Sequence, residues 1–213
     1  GFEITVFADS VKNARQMTLG DTGILYVGSR REGKVYAVVD NNADFKADSV
    51  YTIIKGLRLP NGVAYKDGAL FVAEVSKIWR FDNIDKNYAD SPESVLVTDE
   101  LPTEGLHGWK YIAFGPDEKL YVPIGAPCNI CNNEEENPKF ATLTRMNADG
   151  SQHEIVAKGI RNTVGFTWHP ETGNIWFTDN GRDWMGDDIP PCELNEITED
   201  GQHFVYPYLH GND

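Results

Sequence analysis

The sequence has no long apolar segment, no surplus of basic residues and no basic leader, and each of these shortages excludes a class of protein. No apolar run approaches the roughly 20 residues that a membrane-spanning helix requires, so we expect no membrane insertion. The 19 lysines and arginines stand against 33 aspartates and glutamates, which gives a net charge of -14. A nucleic-acid surface needs clustered cations to neutralise phosphates, so the charge favours a small neutral substrate or a bound divalent cation instead. No basic start precedes an apolar stretch, and we expect that an export signal was removed or never existed.

Cysteine is also scarce, and the spacing of two of the three cysteines allows two interpretations. Cys128 and Cys131 are separated by two residues. This spacing gives a local disulfide in an exported protein or half of a zinc site in a reducing compartment. We favour the disulfide because no second cysteine pair or spaced histidine pair completes a tetrahedral metal site. Cys192 is then left over.

An internal repeat is the main structural feature of the sequence. An apolar strand core begins at Leu25, Leu70, Leu120 and Ile175, at spacings of 45, 50 and 55 residues. A turn precedes each core, and further strands are expected before the turn and after the core. A fourth, more polar strand is expected to open each unit, at residues 4–7, 50–54, 94–97 and 154–157. Units of four short antiparallel strands indicate the blades of a β-propeller.

The repeat therefore predicts an all-β protein with a single β-propeller domain over residues 1–213. A β-sandwich is the alternative, but it predicts no fixed repeat of one strand-turn-strand core. We expect four complete four-stranded blades and the start of a fifth over residues 204–213. Since a propeller must close to cover its edge strands, we expect the chain to be truncated at its C-terminus. The long loops at residues 123–139 and 181–191 are expected to lie on the binding face.

Polar residues mark both ends of the hairpin in the fourth unit. Arg161 and Asn162 stand before its first strand, and the turn of Asn180, Gly181 and Arg182 follows its second strand. Because the two strands are joined by the turn at residues 170–173, these two groups emerge at the same end of the hairpin. They form the outline of a site for an anion and a cation. An ordinary hairpin with polar ends is the alternative.

His107 is the histidine whose setting favours catalysis. It is flanked by glycines at positions 105 and 108 and lies directly before a predicted strand. A histidine at a blade end faces the mouth of the propeller, and its pKa near neutrality suits a general base. A structural loop histidine is the alternative.

The chain resembles the soluble quinoprotein dehydrogenases, six-bladed propellers that oxidise aldose sugars, sorbosone and related substrates with pyrroloquinoline quinone (PQQ). The resemblance extends over essentially all 213 residues and rests on the segments RLPNGVAYKDGALFVAEVSKIWRFD, LHGWKYIAFGPDEKLYVPIGAPCNIC, GIRNTVGFTWHPETGNIWFTDNGRD, PPCELNEI and YPYLHGND. It implies a periplasmic or secreted PQQ-dependent sugar dehydrogenase with a small-molecule sugar substrate and an external electron acceptor.

The resemblance also implies roles for individual residues. His107 corresponds to the catalytic base of that family, and Arg161 and Asn162 correspond to the GxRN motif that contacts the carboxylates and carbonyl oxygens of the quinone. Asn180 opens the turn in which the main-chain carbonyls of Gly181 and Arg182 would hold Ca2+, and that cation would polarise the quinone.

Cys192 departs from the pattern of that family. It stands where the family commonly has an aspartate, which removes a carboxylate near the expected Ca2+ turn and puts the metal affinity in question.

Two alternatives to this function remain open. The first is a metal-dependent lactonase or hydrolase of the six-bladed type, which would use axial carboxylates. Glu74 and Asp179 are available for that role, but this alternative leaves the Arg161-Asn162 pair unexplained. The second is a non-catalytic propeller used for binding.

Overall fold

A computed structural model describes residues 1–211, and the regular secondary structure in this range is almost entirely antiparallel β-sheet. The segment expected to begin a fifth blade extends to residue 213, and its last two residues, Asn212 and Asp213, lie outside the described residues. No helix in residues 1–211 is long and apolar enough to cross a membrane.

The first two sheets each contain four strands that pair in chain order. Sheet one consists of β1 (Ala14–Leu19), β2 (Leu25–Ser29), β3 (Lys34–Val39) and β4 (Ser49–Lys55). Sheet two consists of β5 (Gly62–Lys66), β6 (Ala69–Ala73), β7 (Ile78–Phe81) and β8 (Val95–Thr98). The one-turn helix α1 (Ile84–Asn87) connects β7 to β8. These two sheets confirm the four-stranded antiparallel blade.

The next two sheets depart from that regular count. Sheet three consists of β9 (Ala113–Phe114), β10 (Leu120–Ile124), β11 (Thr142–Met146) and β12 (Glu154–Lys158), and a fifth strand, β16 (Gln202–His203), pairs in parallel with β12. Sheet four consists of β13 (Thr163–Trp168), β14 (Ile175–Asp179) and β15 (Glu193–Ile197). The prediction of four complete four-stranded blades is therefore wrong for the fourth blade, which has three strands within residues 1–211.

The phase of the predicted repeat is also wrong. The polar strand expected to open each unit instead closes the preceding blade, because β4 pairs with β3, β8 with β7, and β12 with β11. Residues 4–7 form no strand, and Ile4 is 99% exposed. In the observed phase a strand there would be the outer strand of a blade that precedes sheet one, and no strand in residues 1–211 pairs with residues 4–7.

The core lies between successive sheets, where the apolar faces of the central strands meet. Every residue of β6 and β10 is buried. Tyr26, Leu70 and Phe81 pack between the first and second blades, Phe71 and Leu120 between the second and third, and Leu143 and Phe177 between the third and fourth. Each fully buried side chain of this size contributes about 1.5–3 kcal/mol. Well-packed sheets of this kind hold the loops between them in fixed positions.

The antiparallel order sorts the loops between the two ends of the sheets. The links from β9 to β10 and from β13 to β14 lie at one end. The links from β10 to β11 and from β14 to β15, and the entries into β9 and β13, lie at the other end. His107, Arg161 and Asn180 all lie in this second set of loops. The expectation that the three residues share one face is confirmed.

Candidate functional site

The ring of His107 is held by one main-chain carbonyl. His107 lies in the turn between β8 and β9, has φ 51°, and is 7% exposed. Its Nδ1 is 2.8 Å from the carbonyl oxygen of Ala126. Because a carbonyl only accepts hydrogen bonds, Nδ1 carries the proton and Nε2 keeps its lone pair. No hydrogen bond to Nε2 is found within residues 1–211.

The environment of the ring favours its neutral form. Burial lowers the pKa of His107 below its ordinary value of 6.5, and the nearby Arg161 cation lowers it further, while the Ala126 carbonyl acts in the opposite direction. At neutral pH the ring therefore offers an unprotonated Nε2, which is the form that a general base requires.

Gly125 and Ala126, at the end of β10, bring His107 next to Arg161. The amide of Ala126 donates to the carbonyl oxygen of Arg161 at 2.8 Å, while its own carbonyl accepts from the His107 ring. A Cβ added to Gly125 would lie 2.5 Å from the Cβ of His107 and 3.3 Å from the oxygen of Arg161. Only glycine allows this close approach of two loops. The structure thus brings the two predicted site residues together.

The guanidinium of Arg161 is buried, with 3% of the residue exposed, and is bonded to protein groups on most of its edges. Nε donates to the carbonyl oxygen of Asn129 at 3.0 Å, and Nη1 donates to that of Asn180 at 2.9 Å. Nη2 donates to Asn129 Oδ1 at 2.8 Å and to Asp183 Oδ2 at 2.9 Å. Four of the five N–H groups of the guanidinium are engaged, and the fifth is on Nη1.

This arrangement differs from the open fork for a cofactor carboxylate that the sequence resemblance implies. A carboxylate of the chain itself, that of Asp183, already occupies one corner of the guanidinium. The side chain of Asp183 is 66% exposed, however, so this ion pair lies on the solvent side of Arg161. The pair is therefore buried on its Arg161 side and exposed on its Asp183 side, and Asp183 is the partner that an external carboxylate would displace.

The carboxylate of Asp179 at the end of β14 fixes the main chain of Arg161 and Asn162. Oδ2 accepts the amide of Arg161 at 2.9 Å, and Oδ1 accepts the amide of Asn162 at 2.6 Å. Burial raises the pKa of Asp179 to about 6, against the two amide bonds, which lower it. The amide of Asn180 then donates to the carbonyl of Asn162 at 3.2 Å. These bonds join the Arg161-Asn162 pair, before β13, to the turn that begins at Asn180, after β14.

The turn expected to hold a metal offers main-chain oxygens. The carbonyls of Gly181 and Arg182 accept no hydrogen bond within residues 1–211, whereas that of Asn180 is bonded to Arg161. Arg182 Nε is buried without a partner in the same range. Carbonyl oxygens are hard ligands that suit Ca2+, so these two residues fit the expected cation. The described residues contain no cluster of three or more histidine, cysteine or carboxylate side chains that could hold a metal.

The two carboxylates named for a hydrolase are bonded within the fold. Glu74 accepts the amide of Arg58 at 2.7 Å and the indole N–H of Trp79 at 2.9 Å. Asp179 accepts the two amides described above. Glu74 and Asp179 share none of these hydrogen-bond partners.

Two residues of the site were missed by sequence reasoning. The predicted disulfide between Cys128 and Cys131 is present, and Asn129 inside its loop binds Arg161. Lys110 is 1% exposed and donates from Nζ to the carbonyl of Gly108 at 2.6 Å, and burial lowers its pKa to about 7. Asn129 lies between the two cysteines of the Cys-Asn-Ile-Cys pattern, so the predicted disulfide already indicated that its position is fixed. The pattern alone does not indicate that Asn129 contacts Arg161.

The opposite end of the sheets carries a separate cavity of about 300 Å3. It lies between the third and fourth blades, and its lining includes Asp117, Arg145 and Trp168. None of the site residues described above lines this cavity. Arg145 there is bonded to Glu154 and Asp200, so its charge is compensated within the fold.

Comparison with known proteins gives one family and a group of similar folds. The model of the TrAA12-like family matches residues 1–199. An uncharacterized protein of Borreliella burgdorferi is 33% identical over 99% of this chain and 56% of its own length. The chain thus spans about half the length of this curated relative.

Three of the similar solved structures are named as PQQ or carbohydrate-active proteins. The pyranose dehydrogenase PQQ domain of Coprinopsis cinerea in holo form has a TM-score of 0.78 at 17% identity, with 94% of this chain and 55% of that chain covered. A carbohydrate-active enzyme of family AA12 from Trichoderma reesei has a TM-score of 0.78 at 20% identity, with 95% and 57% covered. The PQQ-bound aldose sugar dehydrogenase of Streptomyces coelicolor has a TM-score of 0.75 at 20% identity, with 98% and 66% covered. At these identities the likeness shows the fold.

Proposed function

Since the chain belongs to the TrAA12-like family of oxidoreductases, we propose that the protein oxidises an aldose sugar or a related hydroxyl or aldehyde substrate with PQQ and Ca2+. The observation that carries the proposal is the setting of His107. Its Nδ1 proton is fixed on the carbonyl of Ala126, its Nε2 is free within residues 1–211, and its ring adjoins the buried Arg161. A base and a cationic anchor within one small site are the groups that such an oxidation requires.

His107 removes the proton of the substrate hydroxyl at Nε2. As the ring becomes an imidazolium, the Nδ1–H bond to the Ala126 carbonyl strengthens and stabilises the charge. Arg161 nearby opposes that charge, so the proton leaves the ring readily after the reaction. When bound, PQQ with its Ca2+ supplies the two-electron acceptor for the hydride of the same carbon.

The other predicted residues would hold the cofactor. Arg161 would bind a carboxylate of PQQ through its remaining Nη1 proton and through the corner that Asp183 occupies. Asn162 and Asn180 would also contact the cofactor. Asn162 follows Arg161 in the chain, and the carbonyl oxygen of Asn180 accepts from Nη1 of Arg161. The carbonyls of Gly181 and Arg182 would bind Ca2+, and their lack of hydrogen bonds within residues 1–211 supports this role.

We further propose a periplasmic or secreted location and an external electron acceptor. The Cys128–Cys131 disulfide supports an oxidising compartment, because such bonds persist there and are rare in a reducing cytosol. The net charge of -14 supports a neutral substrate and argues against a nucleic-acid partner.

The test compares His107→Ala with the wild type in the full-length protein. With PQQ, Ca2+ and an aldose, dye reduction should proceed in the wild type, and kcat/KM should rise with pH through an apparent pKa below 6.5. His107→Ala should lower kcat by about 100- to 10,000-fold and leave PQQ affinity unchanged. His169→Ala, in the β13–β14 turn at the opposite end, is the matched control.

Two results would contradict different parts of this proposal. If the wild type reduced no dye with any aldose and hydrolysed a lactone without PQQ, the hydrolase alternative would replace the proposal. If His107→Ala retained full turnover, the protein could still be a quinoprotein, but His107 would not be its base.

A further inference from the structure

The loop closed by the Cys128–Cys131 disulfide places one side chain directly against Arg161. Asn129 accepts from Nε of Arg161 through its main-chain oxygen and from Nη2 through Oδ1. The same Oδ1 accepts the amide of Asp183 at 2.8 Å, and Asn129 Nδ2 donates to the Asp183 carbonyl at 3.2 Å. Asn129 therefore bonds both the guanidinium and the main chain of the residue that pairs with it.

These contacts decide which edge of the guanidinium is available. The Nε and Nη2 side faces Asn129, so the unengaged proton lies on Nη1, which faces Asn180 and the turn of Gly181 and Arg182. If the side chain of Asn129 were removed, Nη2 would lose one of its two acceptors, and only the main-chain oxygen of Asn129 and the carboxylate of Asp183 would hold this side of the guanidinium. A planar fork recognises a carboxylate by its orientation as well as its charge.

The position of Asn129 is itself constrained. Two residues lie between the bonded cysteines, and the hydroxyl of Tyr206 accepts the amide of Cys131 at 3.1 Å. The same hydroxyl is 3.4 Å from the oxygen of Asn129. A loop tied at several points loses little conformational entropy when it binds Arg161, and this makes the contact effective.

We infer that Asn129 is a positioning residue that orients Arg161 towards the cofactor. The inference deepens the proposed function and rests on it for the identity of the cofactor. Groups that orient the ligands of a metal typically change metal affinity or activity by about 10- to 100-fold when they are removed, and we use that range for the group that orients Arg161. We expect an effect of this size although Asn129 is not required to touch the substrate.

The first test measures PQQ affinity in the presence of Ca2+ by quenching of tryptophan fluorescence, in the full-length protein. Asn129→Ala should raise the Kd for PQQ by about 10- to 100-fold. Asn129→Asp keeps an acceptor for Nη2 but loses the donor to the Asp183 carbonyl, so it should restore part of the affinity. Asn132→Ala is the matched control, because Asn132 lies next to the same loop and is exposed, and its side chain bonds the Tyr208 hydroxyl rather than Arg161. Should Asn129→Ala fail to fold, Asn129→Gln displaces the amide by one methylene and should weaken binding in the same direction.

The second test needs no cofactor. A double-mutant cycle of Asn129→Ala and Arg161→Met, measured by urea unfolding, should show a coupling of roughly tenfold in the unfolding equilibrium, or about 1.4 kcal/mol. If the wild type bound PQQ and Asn129→Ala bound it as tightly as Asn132→Ala does, the inference would be overturned while the function stood. If the wild type did not bind PQQ, the function would fail and the cycle alone would decide, with a coupling below about twofold counting against Asn129.

Discussion

Asp179→Asn offers a direct test of how the site is held together. The side chain of Asp179 is buried and accepts the amides of Arg161 and Asn162. Asparagine keeps the shape but replaces one acceptor oxygen with an NH2 group, which faces an amide N–H. Leaving one buried donor unsatisfied costs about 1–3 kcal/mol, and this part of the effect does not depend on pH.

The charge of Asp179 adds a part that does depend on pH. Burial raises the pKa of Asp179 from 3.8 to about 6, so the folded protein binds a proton that the unfolded chain has released over this range. Stability from this group is fully present below pH 3.8 and is lost as the pH rises through about 6. At about 1.36 kcal/mol for each pKa unit, the loss is about 3 kcal/mol. The wild type should therefore lose about 2–3 kcal/mol relative to Asp179→Asn between pH 4 and pH 7.5.

The assay is urea unfolding of both proteins across this pH range, with Asp187→Asn, at an exposed position in the loop after β14, as the control for a change in net charge. The quantity of interest is the difference in unfolding free energy between wild type and Asp179→Asn at each pH. A difference that stayed constant would refute the argument that burial dominates. A wild type that gained stability relative to the variant would show that the two amide bonds outweigh burial and lower the pKa.

Two further predictions concern buried cations near the site. Arg161→Ala should weaken PQQ affinity by about 2–5 kcal/mol, with activity partly restored at high PQQ, because one partner of a buried charge pair is removed; unchanged binding and turnover would contradict its assigned role. Lys110→Met removes a buried amine that donates to the Gly108 carbonyl in the turn that carries His107. Since burial lowers the pKa of Lys110 to about 7, the folded protein releases a proton that the unfolded chain keeps up to about 10.5, so the wild type should gain stability relative to the variant as the pH rises from 7 to 10. Melting temperatures of both proteins at pH 7 and pH 9.5 measure this, and a constant difference would count against it.

The sequence predicted the central strands of each blade well because their burial leaves little freedom. Strands such as β6 and β10 are buried at every position, and the strand cores recur at spacings of 45 to 55 residues from blade to blade. The outer strands are polar and half-exposed, so the sequence shows their presence but not which neighbour they pair with. The parallel pairing of β16 with β12 joins segments about 45 residues apart in the chain, and no local pattern indicates it.

The candidate site divides in the same way. His107, Arg161 and Asn180 could be placed together because strand order alone brings their loops to one end. The engagement of Arg161 by Asn129 and Asp183 could not be predicted, because it depends on side chains that meet across 32 and 22 residues of sequence. Asp179 was noticed only as a possible metal ligand, although its carboxylate bonds main-chain amides.

The return of the chain after the fourth blade sets the order in which the site can be assembled during synthesis. The hydroxyl of Tyr206 accepts the amide of Cys131 across 75 residues of sequence, and this bond is one of the contacts that hold the loop of Asn129. Synthesis proceeds from the N-terminus, so the second and third blades can form before Tyr206 has been added. This contact of the loop that binds Arg161 therefore forms only once the chain has grown past residue 206. A protease cut near residue 200 would consequently loosen the site while leaving each of its own residues intact.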